Sequence, residues 1–302
     1  MNQDLSDRDL GDQDVGDQDL ADKDVVDRDL AEVPLQQDGP SPKKSANSVL
    51  APGELARRLD ECAILLDIDG TLLDLAPTPR EVWVPPGLAI TLNGLLMRTS
   101  GALALVSGRS LNDIDLIFAP EQFPAVGGHG AEMRISTDSE AVATHAPPMD
   151  KELKRRLAAI ARLSPGILLE DKGYSLALHY RLAPHAEKAI YAAVSLIRAD
   201  LPNAPIEVLP GKCVCEIKHS GFNKATGVLE LMTHEPFKGR RPIFIGDDVT
   251  DETVFAIMPE LDGLAFSVGR RAQGVADHFD EPRDVREWLA RLLDTENAAV
   301  RP

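Results

Sequence analysis

The sequence predicts an α/β fold in which a parallel sheet carries helices on both faces and a second, α+β domain is inserted into the chain. Short apolar runs alternate with segments of helical periodicity, the pattern of strands joined by crossover helices. Between residues 147 and 221 the order changes to α-β-β-α-β-β, which fits a separate small sheet. Polar clusters follow several of the apolar runs, which predicts a site at one edge of the main sheet.

The first strands of the main sheet are predicted from uninterrupted apolar runs, which are typical of strands buried on both faces. A helix-like segment, Glu54–Glu61, precedes the strand Ala63–Leu66. Leucines at helical spacing predict a helix over Gly87–Met97. The next strand is Ala102–Val106, and a third begins near Pro124–Val126.

The same alternation returns in the last third of the chain. A helix is predicted over 223–233, and the strand Pro242–Ile245 follows it. The helix Glu252–Ile257, the strand Leu264–Val268 and the helix Pro282–Leu293 then complete the predicted sheet.

The inserted segment contains two helices and four strand-like runs, with turn residues at Gly173 and at Pro210-Gly211. Its helices are predicted over 149–163 and 184–199, and its strands over Ile167–Glu170, Tyr174–Tyr180, Ile206–Leu209 and Cys213–Ile217. The predicted organisation is therefore a tail and linker over 1–50, a first core segment over 51–146, an inserted domain over 147–221 and a second core segment over 222–302.

The first 50 residues differ from the rest in composition and carry thirteen acidic against five basic side chains. From Asp7 an Asp-x-Asp-(Leu/Val)-x pattern repeats every five residues, a period that matches neither a helix nor a strand. A pentapeptide-repeat β-helix would need a small residue two positions before each Leu or Val, where this chain has Arg, Gln or Lys. We expect a disordered acidic tail.

Charge and cysteine content limit the classes of partner. The formal net charge of −17 argues against binding to nucleic acid or to anionic membrane surfaces, and no run of 18 apolar residues predicts a membrane span. The N-terminus lacks the apolar segment of a secretory signal. Cys62, Cys213 and Cys215 show no zinc-site spacing, which favours reduced thiols and a cytoplasmic protein.

Three polar clusters come immediately after predicted strands. They are Asp67-Ile68-Asp69-Gly70-Thr71, Ser107-Gly108-Arg109, and the segment from Gly246 to Glu252 that begins Gly-Asp-Asp. Because the carboxyl ends of parallel strands share one edge, we expect these clusters to converge there. Lys224, near the start of the helix at 223–233, is expected to join them.

These residue types suit phosphoryl transfer, in which the charge of the transferred group must be neutralised. The carboxylates of Asp67 and Asp247 offer oxygen ligands of the kind that Mg²⁺ prefers. Asp67 is predicted as the nucleophile that forms an acyl phosphate, and Asp69 as the acid that protonates the leaving group and then activates water. The remaining phosphoryl contacts are assigned to Ser107, Thr71 and Lys224.

In this order the four motifs resemble those of the haloacid dehalogenase (HAD) superfamily, and the insertion resembles its C2-type cap. The resemblance covers roughly Leu55 to Leu293 and implies a Rossmann-like HAD core with an inserted α+β cap domain. Within the superfamily, the chain is most similar to the trehalose-6-phosphate phosphatases. The strings that carry this similarity are 125–132, Glu170-Asp-Lys-Gly, His179-Tyr-Arg, Glu216-Ile-Lys, Asn223-Lys224 and 246–255.

The resemblance implies hydrolysis of trehalose 6-phosphate, a sugar phosphate, through an aspartyl-phosphate on Asp67. It implies Mg²⁺ bound by Asp67, by the backbone carbonyl of Asp69 and by Asp247, with Asp248 and Asp251 acting through water or outside the direct ligands. The family usually has Gly after the motif lysine, where this chain has Ala225. Because Ala is a better helix former than Gly, we expect little harm from this exchange.

The resemblance also implies a set of sugar-binding residues, which consists of Glu170, Lys172, Arg181, Glu216 and His129. The alternative reading is that alternating polar residues in the insertion are only the solvent face of its sheet. Two other functions stay open. One is a different sugar phosphatase with the same cap, such as a sucrose-phosphate or mannosyl-phosphoglycerate phosphatase, and the other is a catalytically inactive sugar-phosphate sensor.

Overall fold

The computed structural model describes residues 55–76, 81–138, 146–211 and 213–294. The acidic tail and linker expected over residues 1–50 therefore lie outside the described residues. None of the helices in the described ranges has both the length and the apolar character needed to span a membrane.

The described strands, in chain order, are β1 Cys62–Leu66, β2 Leu103–Val106, β3 Ala125–Gly127, β4 Glu132–Arg134, β5 Leu168–Asp171, β6 Ser175–His179, β7 Ile206–Gly211, β8 Val214–His219, β9 Arg241–Gly246, β10 Leu264–Val268 and β11 Asp277–Phe279. The α-helices are α1 Leu88–Arg98, α2 Leu111–Phe118, α3 Lys151–Ala158, α4 Glu187–Asp200, α5 Lys224–Leu231, α6 Glu252–Ile257 and α7 Pro282–Asp294.

The main sheet has the strand order β11-β10-β9-β1-β2-β3-β4. All neighbouring strands are parallel except β3 and β4, which are antiparallel. The prediction of a parallel sheet is therefore confirmed for its five predicted strands, whereas the parallel strand β11 and the antiparallel edge strand β4 were not predicted. Both β4 and β11 are only three residues long, too short to show a periodicity that would reveal them.

Helices pack on both faces of this sheet, as predicted. Alternate residues of β1 point to opposite sides: Ile64 and Leu66 pack with α1, α2 and α7, whereas Ala63 and Leu65 pack with α5 and α6. Burial on both faces explains why this strand has no polar position along its length.

The second sheet has the antiparallel order β5-β6-β8-β7 and lies within the range predicted for the insertion. One face, which includes Leu176, Leu178 and Ile217, packs against α3 and α4. The alternate positions put Glu170, Glu216 and other polar residues on the opposite face. We call this second sheet, α3, α4 and the described segments that join them the cap.

Two local predictions are wrong. Pro210 and Gly211 lie inside β7 and pair with β8, and the turn comes after them, with Cys213 at φ 60°. The proline is tolerated because, within the described part of the chain, β7 is an edge strand and its outer N–H groups have no partner strand. The segment Glu54–Glu61 is predicted as one helix, but its described part ends in a short 3₁₀ turn at Leu59–Glu61.

Candidate active site

The predicted catalytic residues meet at the carboxyl edge of the main sheet. Asp67 follows β1, Ser107 follows β2 and Asp247 follows β9, as expected for neighbouring parallel strands. The backbone N–H of Asp67 still donates to the carbonyl of Ile245 at 2.9 Å, so the ladder continues into the site. Helix α5 brings Lys224 to the same edge, at its first residue.

Lys224 lies between two buried carboxylates. Its Nζ donates to Oδ1 of Asp67 at 2.7 Å and to Oδ1 of Asp251 at 2.8 Å. None of the three side chains is more than 4% exposed. A buried ammonium shared by two carboxylates fixes all three groups, because loss of any pairing would leave a charge without compensation.

Asp251 also shapes the loop that follows β9. Its Oδ2 accepts hydrogen bonds from the backbone N–H groups of Asp247 at 3.0 Å and of Asp248 at 3.1 Å. Gly246 allows this approach, because a Cβ at that position would lie 2.4 Å from Cγ of Asp251. The role expected of Asp251, outside the direct metal ligands, is compatible with these contacts.

Gly70 lets Asp247 approach the turn after β1. Its φ of +82° is unfavourable for residues with a side chain, and a Cβ would lie 2.1 Å from Oδ2 of Asp247. The buried Thr71 places Oγ1 at 3.5 Å from Oδ1 of Asp247. The Asp-x-Asp-Gly-Thr string is therefore needed for its shape as well as for its carboxylates.

Negative charge is concentrated at this edge. Burial raises the pKa of Asp67 well above its usual range, and the charges of Asp251 and Asp247 add to that effect while Lys224 opposes it. Burial together with the charges of Asp251 and Asp248 raises the pKa of Asp247 to about 6. Among the described residues, the carboxylates at this strand edge outnumber the cations that face them.

This donor set fits a hard divalent cation. Carboxylate oxygens of Asp67, Asp247 and Asp251 lie within 4.8 Å of one another. Both oxygens of Asp251 already accept hydrogen bonds from Lys224 or from the backbone. Asp67 and Asp247 are therefore the better ligands for a metal ion. The same two side chains are predicted as magnesium ligands from the sequence.

The side chain of Asp69 is held by Arg109, a residue without a predicted role. Arg109 donates from Nε to Oδ2 and from Nη2 to Oδ1 of Asp69, both at 2.6 Å. Such a two-point pair fixes the plane of the carboxylate. The sequence signal was present in the Ser-Gly-Arg cluster, but spacing alone does not reveal which partner the arginine has. The predicted metal ligand of Asp69 is its backbone carbonyl, which this side-chain pair does not involve.

Ser107 and His129 lie together beside this pair. The buried Ser107 accepts a hydrogen bond on Oγ from the N–H of Arg109 at 3.2 Å, and its carbonyl accepts one from the N–H of His129 at 3.1 Å. His129 has a left-handed backbone, with φ 54° and ψ 38°. A Cβ on Gly108 would lie 2.4 Å from His129 Nε2, so glycine is required for this close contact.

The cap meets this edge through Glu216. Its Oε1 accepts from Ser175 Oγ at 2.9 Å and lies 3.5 Å from Lys172 Nζ, while its Oε2 lies 3.7 Å from His129 Nε2. Burial alone would raise the pKa of Glu216, but His129, Lys172 and Ser175 lower it to about 2. Three of the five predicted sugar-binding residues are thus brought together, with Ser175 as an addition.

The other two predicted sugar-binding residues lie further along the cap sheet. Glu170 pairs with His179 at 2.9 Å, and that hydrogen bond lowers the pKa of Glu170. Arg181 is exposed and follows the end of β6. The register places Glu170 and Glu216 on the same face, on either side of Ala177.

Comparison with known proteins agrees with this arrangement. The family model described as trehalose-phosphatase matches residues 65–284, which include the four motifs and the whole cap sheet. The chain belongs to the trehalose-phosphatase family. It is similar to a Sinorhizobium fredii protein named "Probable trehalose-phosphate phosphatase", with 43% identity over 217 residues that cover 71% of this chain and 80% of the relative.

Two further relatives span most of the same length. The trehalose-6-phosphate phosphatase of Escherichia coli is 37% identical over 230 residues, covering 76% of this chain and 86% of that protein. Among solved structures, the C-terminal domain of Candida albicans trehalose-6-phosphate phosphatase has a TM-score of 0.67 at 21% identity, covering 80% of this chain and 95% of that one. These neighbours show that this member of the trehalose-phosphatase family has the HAD fold that the motifs indicate.

Proposed function

We propose that the chain hydrolyses trehalose 6-phosphate to trehalose and phosphate through an aspartyl-phosphate intermediate, in a Mg²⁺-dependent reaction. The observation that carries the chemistry is the buried Asp67, bonded to Lys224 at 2.7 Å and next to Asp247. Membership of the trehalose-phosphatase family and the names of the two bacterial relatives support the substrate.

In the first step an oxygen of Asp67 attacks phosphorus while the bond from phosphorus to the sugar oxygen breaks. For this step one oxygen of Asp69 exchanges its hydrogen bond from Arg109 for a proton, and that proton passes to the sugar oxygen, which leaves as a hydroxyl group. Water then attacks the phosphorus of the aspartyl-phosphate, and Asp69 takes a proton from it. Phosphate leaves and Asp67 is regenerated. Lys224, Ser107 and Thr71 offset charge or donate hydrogen bonds to the phosphoryl oxygens.

The carboxylates of Asp67 and Asp247 and the backbone carbonyl of Asp69 are the ligands we assign to Mg²⁺. A bound divalent cation would neutralise phosphoryl charge and align the group with Asp67. The excess of carboxylates at this edge supports the assignment. A cytoplasmic location is part of the same proposal, because the three cysteines, all within the described residues, are free thiols.

The cap face is the surface that would read the sugar. Polar groups that are already paired, such as Glu216 with Ser175, can exchange those partners for sugar hydroxyls and reject ligands that lack them. Another sugar phosphatase with this cap is the second candidate. A catalytically inactive sensor is disfavoured, since the nucleophile Asp67, the acid Asp69 and the buried Lys224 are all present.

Phosphate release from a panel of sugar phosphates, with and without Mg²⁺, tests the function. We expect trehalose 6-phosphate to give the highest kcat/KM, and we expect EDTA to abolish turnover until Mg²⁺ is restored. Preference for sucrose 6-phosphate or mannosyl-phosphoglycerate would favour the second candidate. No turnover of any phosphate ester would favour the sensor, and turnover that survives EDTA would contradict the magnesium assignment.

Gly70→Ala should weaken the metal site, since the added methyl group would collide with Oδ2 of Asp247. We expect the Mg²⁺ concentration for half-maximal activity to rise roughly 10-fold or more, the scale seen when the supports of metal ligands are lost. Gly239→Ala is the matched control, because Gly239 also has a positive φ, +75°, but a Cβ there would meet nothing within 4 Å. Equal Mg²⁺ dependence in the two variants would contradict the assignment of Asp247 as a ligand.

Glu216→Gln should separate sugar recognition from the chemistry. We expect kcat/KM for trehalose 6-phosphate to fall at least about tenfold, with less than about a threefold change for p-nitrophenyl phosphate, because only the first substrate offers hydroxyls to this residue. Glu207→Gln is the control, since Glu207 lies on the same face of the cap sheet and pairs with Lys218 at 2.9 Å. Equal losses on both substrates would exclude a sugar-binding role for Glu216.

A further inference from the structure

Glu132, the first residue of β4, is bonded to both the core and the cap. Its Oε2 accepts a hydrogen bond from the backbone N–H of Leu111 at 2.6 Å. Its Oε1 accepts one from the hydroxyl of Tyr174, in the cap, at 2.9 Å. Neither Glu132 nor Tyr174 takes part in the proposed catalytic steps.

On the core side, Glu132 holds the end of the loop that carries Arg109. Leu111 is the first residue of α2, directly after that loop. The carbonyl of Arg109 is fixed as well, because it accepts from the N–H of Gly128 at 2.7 Å. A Cβ on Gly127 would lie 2.9 Å from the same carbonyl, so the loop lies close against β3. At the start of the same segment, the N–H of Ser107 donates to the carbonyl of Val126 in β3 at 2.8 Å, so both ends of the segment that presents Arg109 to Asp69 are tied to β3 and β4.

On the cap side, Tyr174 fits a socket in the core. Its side chain is 3% exposed and packs with Ala131, Ala146 and Phe222. A Cβ on Gly128 would lie 2.2 Å from the hydroxyl oxygen, so the ring can seat only against a glycine. Tyr174 also directly precedes Ser175, which binds Glu216. A shift of the cap that moves Ser175 would therefore also move the Tyr174 hydroxyl, which donates its hydrogen bond to Glu132.

We propose that Glu132 is a positioning residue that couples the seating of the cap to the orientation of Asp69. The coupling runs from Tyr174 through Glu132 to the loop of Arg109, whose guanidinium holds both oxygens of Asp69. The inference rests on the proposed function in one respect, the role of Asp69 as the acid for the leaving group. When the cap is not packed against the core, Asp69 would be poorly aligned. The leaving group would therefore be protonated efficiently only when the cap encloses the site.

The coupling predicts a specific kinetic signature. A leaving group that is a weak acid, such as an alkyl alcohol or a sugar, needs the proton of Asp69, whereas p-nitrophenolate leaves without it. The value of kcat/KM reports the steps up to and including cleavage of the bond between phosphorus and the leaving-group oxygen. Its dependence on the leaving-group pKa therefore measures how well Asp69 is aligned. A loss of folded protein would instead lower kcat/KM equally for all leaving groups.

The test compares kcat/KM for aryl and alkyl phosphates of graded leaving-group pKa in the full-length Mg²⁺-loaded protein. For Tyr174→Phe, which keeps the ring and removes only the hydroxyl, we expect about a tenfold loss with the poorest leaving groups and less than about a twofold loss with p-nitrophenyl phosphate. Glu132→Ala should likewise make kcat/KM more strongly dependent on the leaving-group pKa. Glu132→Gln, which keeps an acceptor for Leu111 and a polar partner for Tyr174, should stay close to the unsubstituted protein.

Tyr180→Phe is the matched control, because Tyr180 is equally buried and donates to Glu187 at 2.8 Å, but both residues belong to the cap. It should not change the leaving-group dependence. Asp69→Asn, which removes the acid itself, should give the largest increase in the dependence of kcat/KM on the leaving-group pKa. The coupling would be contradicted if Asp69→Asn made kcat/KM more dependent on the leaving-group pKa and Tyr174→Phe did not. It would also be contradicted if Tyr174→Phe and Tyr180→Phe behaved alike. In both cases the proposed function would stand. If Asp69→Asn itself has no such effect, the acid role in the proposed function fails and the coupling fails with it.

Discussion

Asp67→Asn is expected to lower kcat by at least about 10⁴-fold, on both trehalose 6-phosphate and p-nitrophenyl phosphate, because an amide oxygen cannot form the acyl phosphate. The fold should survive. Asparagine has nearly the same shape as aspartate, and its carbonyl oxygen can still accept the hydrogen bond that Lys224 donates to Oδ1 at 2.7 Å. Phosphate release and thermal unfolding of the same preparation check both parts of the prediction.

Asp60→Asn provides the control, because it makes the same chemical change at an exposed position just before β1. It should keep the kcat of the unsubstituted protein. Turnover by Asp67→Asn above about 1% of that value, after deamidation has been excluded by mass spectrometry, would contradict the role of Asp67 as nucleophile.

Lys224→Met is expected to reduce stability as well as activity. Lys224 is buried between Asp67 and Asp251, so its loss would leave two buried carboxylates without their cation. Removing one partner from a buried ion pair costs about 3–5 kcal/mol in the free energy of unfolding. Urea unfolding in EDTA measures this cost without a contribution from bound metal. Turnover should be lost because the phosphoryl group would lose a fixed positive charge.

A double variant separates the two effects. Lys224→Met with Asp251→Asn removes one buried charge of each sign, so we expect recovery of at least about half of the lost unfolding free energy and no recovery of turnover. Lys238→Met is the control at an exposed lysine of the core and should change the unfolding free energy by no more than about 0.5 kcal/mol. A double variant no more stable than Lys224→Met would show that the ion pairs are not the source of the loss.

Long elements with a clear pattern were predictable from the sequence. The central strand β1 and helices α1, α6 and α7 agree with their predicted positions to within about two residues, because continuous apolar runs and leucines at helical spacing are local signals. Helix α2 and strands β4 and β11 were missed. The two strands exist because a neighbouring strand supplies their hydrogen-bond partners, which is a property of the sheet and not of three residues.

In the candidate site, too, some features were predictable from the sequence and others were not. Asp67, Asp69, Ser107 and Asp247 could be placed at one edge because each follows a strand, and parallel strands bring their carboxyl ends together. Lys224 required the additional knowledge of a motif order. The partners of these groups were not predictable: nothing in the spacing reveals that Arg109 binds both oxygens of Asp69, or that Glu132 joins Leu111 to Tyr174.

Residue types and local periodicity were enough to predict the fold class and the family, and they are the basis on which Asp67 is proposed as the nucleophile. Only the tertiary structure decided how the charges are paired and how the cap meets the core. Those contacts join residues as far apart as Asp67 and Lys224, or Glu132 and Tyr174. Their energies depend on burial and on distances of a few ångströms, which the chain acquires only when the two sheets have packed together.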